Sequence, residues 1–233
     1  MASDLAELAG AVVAFDLDGT LVDTAPDLVG TLNVILGQEG LPALELASAR
    51  PLIGHGARRL LERGFEAAGA PLPPERAPEL FDRFIVQYLA HIADESRPFP
   101  GVVEALASLR NAHARLTVCT NKPTDLSIAL LDALRLGHFF EAVVGPDAAP
   151  ARKPDPRHLQ AAVVAAGGSM ARAVMVGDAA TDAEAARAAG APLVLVSFGY
   201  TETPAAELAP DALIDHFDEL PEACARLLRA CSA

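Results

Sequence analysis

Five short apolar runs punctuate the chain: Val12 to Phe15, Leu116 to Thr120, Ala142 to Gly145, Ala173 to Gly177 and Leu193 to Phe198. Each is continuous rather than alternating and rich in β-branched residues, the pattern of strands covered on both faces of a parallel sheet. Between the later runs the spacing turns helical. Thr124 to Leu136 is apolar-rich and stops at Gly137, Asp155 to Ala166 offers Leu159, Ala162, Val163 and Ala166 and stops at Gly167, and Thr181 to Ala189 stops at Gly190. Glycine just past the last periodic residue is a helix-stop signal. A final helix has Leu220, Cys224, Leu227, Leu228 and Cys231 on one face, suited to packing back on the sheet. Strand alternating with helix predicts an α/β fold, a doubly wound, mostly parallel, Rossmann-like sheet.

The stretch between the first and second runs breaks this rhythm. Leu28, Leu32 and Leu36 line one helix that stops near Gly40; Leu60, Leu61, Phe65 and Ala68 line another; Phe81, Phe84, Ile85, Tyr88 and Ile92 mark a third after a proline-rich turn. The expectation is an all-helical cap domain, residues 24–96, inserted into a core formed by residues 1–23 and 97–233. An insertion that leaves the C-terminal end of the first strand stands above the crevice where open α/β sheets bind ligands, placed to act as a lid.

Composition narrows the class. Apolar residues make up 52% of the 233 residues, and no apolar run nears the roughly 20 needed to span a bilayer. The opening MASDLAELAG lacks the basic and apolar regions of an export signal, so the expected location is the cytoplasm. Cys119, Cys224 and Cys231 show no paired spacing and read as reduced packing residues. A formal net charge of −13 argues against nucleic-acid or membrane partners. An anionic ligand must then be held by local positive features. Only two lysines are present, Lys122 in TNKPTD and Lys153 in ARKPDP, and each precedes proline in a loop-like setting.

Reading the C-terminal ends of the predicted strands in order collects Asp16 and Asp18, then Thr120, Asn121 and Lys122, then Lys153 ahead of a later helix, then Asp178 and Asp182 in VGDAATD. Such ends meet at one crevice. Crowded carboxylates raise one another's pKa unless a cation lies between them, and a hard divalent ion such as Mg²⁺ takes one or two carboxylates, a carbonyl, waters and a phosphate oxygen. Any one of these acids alone reads equally well as a turn or cap residue.

Taken in order, FDLDGTLVDT, TNK, KPDP and GDAATD resemble the four motifs of the haloacid dehalogenase superfamily, and the helical insertion resembles its α-helical cap. That resemblance implies Asp16 as a nucleophile forming an aspartyl-phosphate and Asp18 as general acid, then base. It implies Lys153 and Thr120 as holders of the phosphoryl group, with Gly19, Asn121 and Lys122 beside the substrate, and Mg²⁺ bound by Asp16, the carbonyl of Asp18, Asp178 and Asp182. GHGARRLLERGF and SFGYTETP resemble the phosphoglycolate phosphatase branch. Arg58 in the first is the candidate for binding a substrate carboxylate, since its fork suits bidentate capture; with Arg59 and Arg63 it reads equally well as a solvated helix face. Ala179 stands where many relatives have Ser, which leaves the orientation of Asp178 to other groups. The expected activity is Mg²⁺-dependent phosphomonoester hydrolysis, 2-phosphoglycolate leading, with a phosphosugar mutase or a phosphatase for another small phosphate as the alternatives. The expected partner is a small phosphorylated metabolite, and the chain is expected to be a monomer or weak homodimer.

Overall fold

The computed structural model describes residues 5–231. Eight strands follow in chain order: β1 (Val12–Phe15), β2 (Val22–Asp23), β3 (Arg97–Pro98), β4 (Arg115–Cys119), β5 (Ala142–Val144), β6 (Ala173–Gly177), β7 (Leu193–Val196) and β8 (Ala212–Ile214). Six of them form one sheet in the order β5-β4-β1-β6-β7-β8, every neighbouring pair parallel. The five runs read from the sequence are all strands of this sheet. β8 escaped that reading because its three apolar residues are too few to carry a period. β2 and β3 pair antiparallel as a short ribbon beneath the helical insertion.

Helices cover both faces, as an all-parallel sheet requires. The helices among the described residues are α1 (Ala25–Gln38), α2 (Leu46–Ala49), α3 (Ala57–Ala67), α4 (Ala77–Ala90), α5 (Val102–Asn111), α6 (Thr124–Ala133), α7 (Pro156–Ala165), α8 (Ala180–Ala189) and α9 (Leu220–Cys231). Successive strand residues point to opposite faces, and the core divides accordingly. Val13, Phe15, Val174 and Val176 pack with Leu106 and Leu109 of α5 and Leu220, Cys224 and Leu228 of α9. Val12, Ala14 and Met175 pack on the other side with Leu159 and Val163 of α7 and Ala183 and Ala186 of α8. Cys119 and Cys224 are buried free thiols; the side chain of Cys231 and residues 1–4, which open the predicted unexported N-terminus, lie outside the described residues.

α1, α3 and α4 share a separate core built on Leu28, Leu32, Leu60, Leu61, Phe84 and Tyr88, joined by Leu126 and Tyr200 from the sheet-bearing part. The two chain segments that connect them to the sheet are tied together. Asp27, near the start of α1, accepts hydrogen bonds from the Glu95 N–H at 3.0 Å and the Ser96 N–H and hydroxyl at 2.8 and 2.6 Å. Among the described residues no helix is long and apolar enough to cross a membrane.

Candidate active site

β1 lies between β4 and β6, where the strand order reverses direction, and in open sheets that reversal opens a crevice at the C-terminal strand ends. Asp16 is the first residue beyond β1, and its N–H still bonds Val176 of β6 at 2.9 Å. Asp178 is the first residue beyond β6, and Thr120, Asn121 and Lys122 directly follow β4. Asp16, Asp18, Thr120, Asn121 and Lys122 line one small cavity of about 30 Å³, roofed by Leu28, Ile53, Leu60, Phe84 and Tyr88 of the helical insertion.

Beneath the cavity lies a buried charge cluster. Lys153 Nζ is 2.9 Å from Asp16 Oδ1 and 2.6 Å from Asp182 Oδ1. Burial pulls the lysine downward, yet the two carboxylates outweigh it and hold Lys153 above the ordinary lysine value. Asp182 is engaged through both oxygens. Its Oδ2 accepts from the N–H groups of Asp178 and Ala179, both at 3.1 Å, which satisfies donors at the start of α8.

Asp178 shows what compensates for Ala179. The Thr20 hydroxyl donates to Oδ1 at 2.7 Å and the Tyr200 N–H donates to Oδ2 at 2.8 Å. Burial, then Asp182 and Asp16, push the Asp178 carboxyl up to about 8. Burial, partly offset by Lys153, pushes Asp16 up to about 6. Asp16, Asp178 and Asp182 each have an oxygen within 4.8 Å of the others. Three buried carboxylates around one lysine are short of positive charge, so the donor set fits a hard divalent cation.

Several contacts were not legible in the sequence. His158 on α7, fully buried, accepts from the Lys153 N–H at Nδ1 over 3.0 Å and donates from Nε2 to the Val144 carbonyl over 3.1 Å. Burial, then the neighbouring lysine charge, lower it to about 4, so it is a neutral strut. Asn121 Nδ2 donates to the Lys153 carbonyl at 3.1 Å. Tyr88 of α4 was read as an apolar-face residue, but its hydroxyl accepts from Lys122 Nζ at 2.9 Å. Lys122 in turn pairs with Asp18 at 3.0 Å. Burial opposes the charge on Lys122, but Asp18 and Tyr88 prevail and raise its pKa. The available signal for Tyr88 was that a buried phenol needs a polar partner.

Two expectations change. Arg58 is exposed, with its guanidinium 4.6 Å over the Phe81 ring, and it does not line the cavity, because its position on α3 turns it toward the outer surface of the helical layer. Gly19 was placed beside the substrate; its φ of +85° and the crowding around it point elsewhere. A Cβ there would sit 2.7 Å from Asp178 Oδ2 and 2.8 Å from the Tyr200 ring, so the close approach is to the protein's own side chains.

Residues 11–190 match the family model described as haloacid dehalogenase-like hydrolase. Phosphoglycolate phosphatase of Caulobacter vibrioides is 62% identical over 231 residues, covering 99% of this chain and 98% of its own length. That of Mesorhizobium japonicum is 46% identical over 220 residues, covering 94% and 97%. A crystal structure described as a predicted phosphoglycolate phosphatase from Haemophilus somnus superposes with a TM-score of 0.85 at 31% identity, over 90% of this chain and 96% of that one.

Proposed function

The chain belongs to the haloacid dehalogenase-like hydrolases and is a phosphatase, and on that premise we propose that it hydrolyses 2-phosphoglycolate to glycolate and phosphate, in the cytoplasm, with Mg²⁺ as cofactor. The observation that carries this reading is the contact of a buried ammonium, Lys153 Nζ, with Asp16, while Asp16 and Asp18 line one small cavity.

In this reading an Asp16 carboxylate oxygen attacks phosphorus, forming an aspartyl-phosphate as the bond to the glycolate oxygen breaks. Asp18 gives its proton to that departing oxygen. It then takes a proton from water, whose oxygen attacks phosphorus and restores the Asp16 carboxylate. Lys153 neutralises phosphoryl oxygens and Thr120 hydrogen-bonds them. Asp182 keeps Lys153 in place from one side, while His158 and Asn121 hold its main chain from the other. Mg²⁺ held by Asp16, the Asp18 carbonyl and Asp178 would supply the charge that lets these acids stay ionised beside a phosphate. Asp182, expected from the sequence to bind the ion as well, has Oδ1 on Lys153 and Oδ2 on two N–H groups at the start of α8, and in this reading it serves the lysine instead.

Asp16→Asn tests the reading. It should abolish phosphate release from 2-phosphoglycolate while the protein still folds and binds Mg²⁺. Equal turnover by variant and parent would remove Asp16 as nucleophile.

A further inference from the structure

We propose that Lys122 and Tyr88 together form the receptor for a carboxylate on the substrate, so that the protein selects short phosphates with a second anionic end; the proposal rests on the phosphatase reading above. With Arg58 exposed on the outer surface, the cavity needs another partner for such a group. Lys122 is the one cationic side chain among the described residues that line it. The rest of its upper wall is apolar, formed by Leu28, Ile53, Leu60 and Phe84.

Tyr88 gives this end of the cavity its geometry. Its hydroxyl accepts from Lys122 Nζ at 2.9 Å, and the ammonium lies 4.5 Å from the ring centroid. The phenol donates its own proton to no group among the described residues, and it lines the cavity beside Lys122. Burial, then the charges of Lys122 and Asp18, leave the phenol raised to about 12, so it remains a neutral donor. Lys122 Nζ also contacts both oxygens of Asp18, at 3.0 and 3.3 Å, so a substrate carboxylate would share the ammonium with Asp18 and take the phenolic O–H beside it as its second donor. The stacked Phe84 ring, 6.2 Å from that of Tyr88, backs the phenol.

The same wall disfavours sugar phosphates. A polyol would bring several hydroxyls against Leu28, Ile53, Leu60 and Phe84, where they would lose water without gaining partners. A two-carbon acid places its one polar end on the donor pair and no other polar group against the wall. Tyr88 comes from α4 and Lys122 from the loop after β4, so the receptor is complete only with the helical insertion seated over the sheet.

The test compares 2-phosphoglycolate with ethyl phosphate, which has a methyl group where the carboxylate stands. The parent should prefer 2-phosphoglycolate by about a hundredfold in kcat/KM, the scale on which losing a charge-assisted hydrogen bond is felt. Tyr88→Phe should cut that preference about tenfold, chiefly through KM, and Lys122→Met should cut it further. A parent that turns over both esters alike overturns the receptor while leaving the phosphatase reading intact. Equal losses on both esters in a folded Tyr88→Phe protein also overturn it, since packing would then be the residue's whole role. Should the variants fail to fold, the parent's preference, and its inhibition by glycolate but not by ethylene glycol, still decide. Release of phosphate from no ester at all ends both readings.

Discussion

The main-chain N–H of Tyr200 donates to Asp178 Oδ2 over 2.8 Å, and the hydroxyl of the same tyrosine bonds Asp23 in the ribbon that leads into the helical insertion. One residue therefore orients a candidate metal ligand with its backbone and steadies the base of the cap with its ring. Its neighbour Gly199 leaves no room for a side chain, because an added Cβ would lie 2.1 Å from Asp178 Cβ.

Gly199→Ala should therefore displace Asp178. Mg²⁺ affinity should fall about tenfold or more, the scale seen when groups that orient metal ligands are disturbed, as read by calorimetric titration. Tyr200→Phe keeps the N–H and should shift Mg²⁺ affinity far less, while costing about 1 kcal/mol of stability through lost hydroxyl contacts. Unchanged Mg²⁺ binding by Gly199→Ala would remove Asp178 from the metal site.

Without Mg²⁺ the carboxyl cluster should make stability pH-dependent. Asp16 and Asp178 are raised from 3.8 to about 6 and about 8 in the folded protein. Between those limits the native state holds protons that the unfolded chain has released, so stability is fully present below about pH 4 and is lost as pH rises toward about pH 8. The melting temperature in chelator should fall by several degrees from about pH 5 to about pH 8.5. Mg²⁺ should flatten the decline by favouring the ionised acids, and Asp178→Asn should flatten it without metal. A slope that persists unchanged in that variant would assign it to other groups.

His158 should matter to the site without touching substrate. His158→Ala strands the Lys153 N–H inside the core and takes one of two donors from the Val144 carbonyl, which keeps the Thr120 N–H; this should cost about 1 to 3 kcal/mol in urea unfolding. The loosened Lys153 loop should lower kcat about tenfold, because a small misplacement of a charged group is expensive in the transition state. His158→Gln, which can reproduce one acceptor and one donor, should recover part of both losses. Full stability and full kcat in His158→Ala would show that the loop is held by other contacts.

Arg58→Ala separates the sequence reading from the structural one. With its guanidinium over Phe81 and away from the cavity, the variant should keep kcat/KM for 2-phosphoglycolate within about twofold, as is usual for surface substitutions. A loss of about a hundredfold, typical of a severed charge-assisted contact to substrate, would return Arg58 to the site.

Asp16, Asp178 and the Thr120–Lys122 loop stand directly after apolar strands, and that is why so much was legible. A strand buried on both faces must be continuously apolar, so Val12–Phe15 and Ala173–Gly177 announce themselves, and the polar residues directly after them must lie at the sheet's end. What stayed hidden depends on contacts between segments far apart in the chain. Tyr88 and Lys122 are 34 positions apart, and Thr20 and Asp178 are 158. No local period encodes such pairs, and Tyr88 sits in an ordinary apolar stripe. Arg58 shows the converse, since a fork-shaped cation at the start of a helix cannot reveal which way that helix will be rotated.

The sequence by itself determined the five longer strands, the helical stretch between the first and second of them and the polar groups that directly follow them, because local periodicity and turn chemistry act over a few residues. Only the tertiary structure decided how those groups divide their work: Asp182 bound to Lys153, Asp178 held by Thr20 and Tyr200, Lys122 shared between Asp18 and Tyr88. Each of these follows from which buried donor comes within about 3 Å of which acceptor, and that is settled by packing across the whole chain.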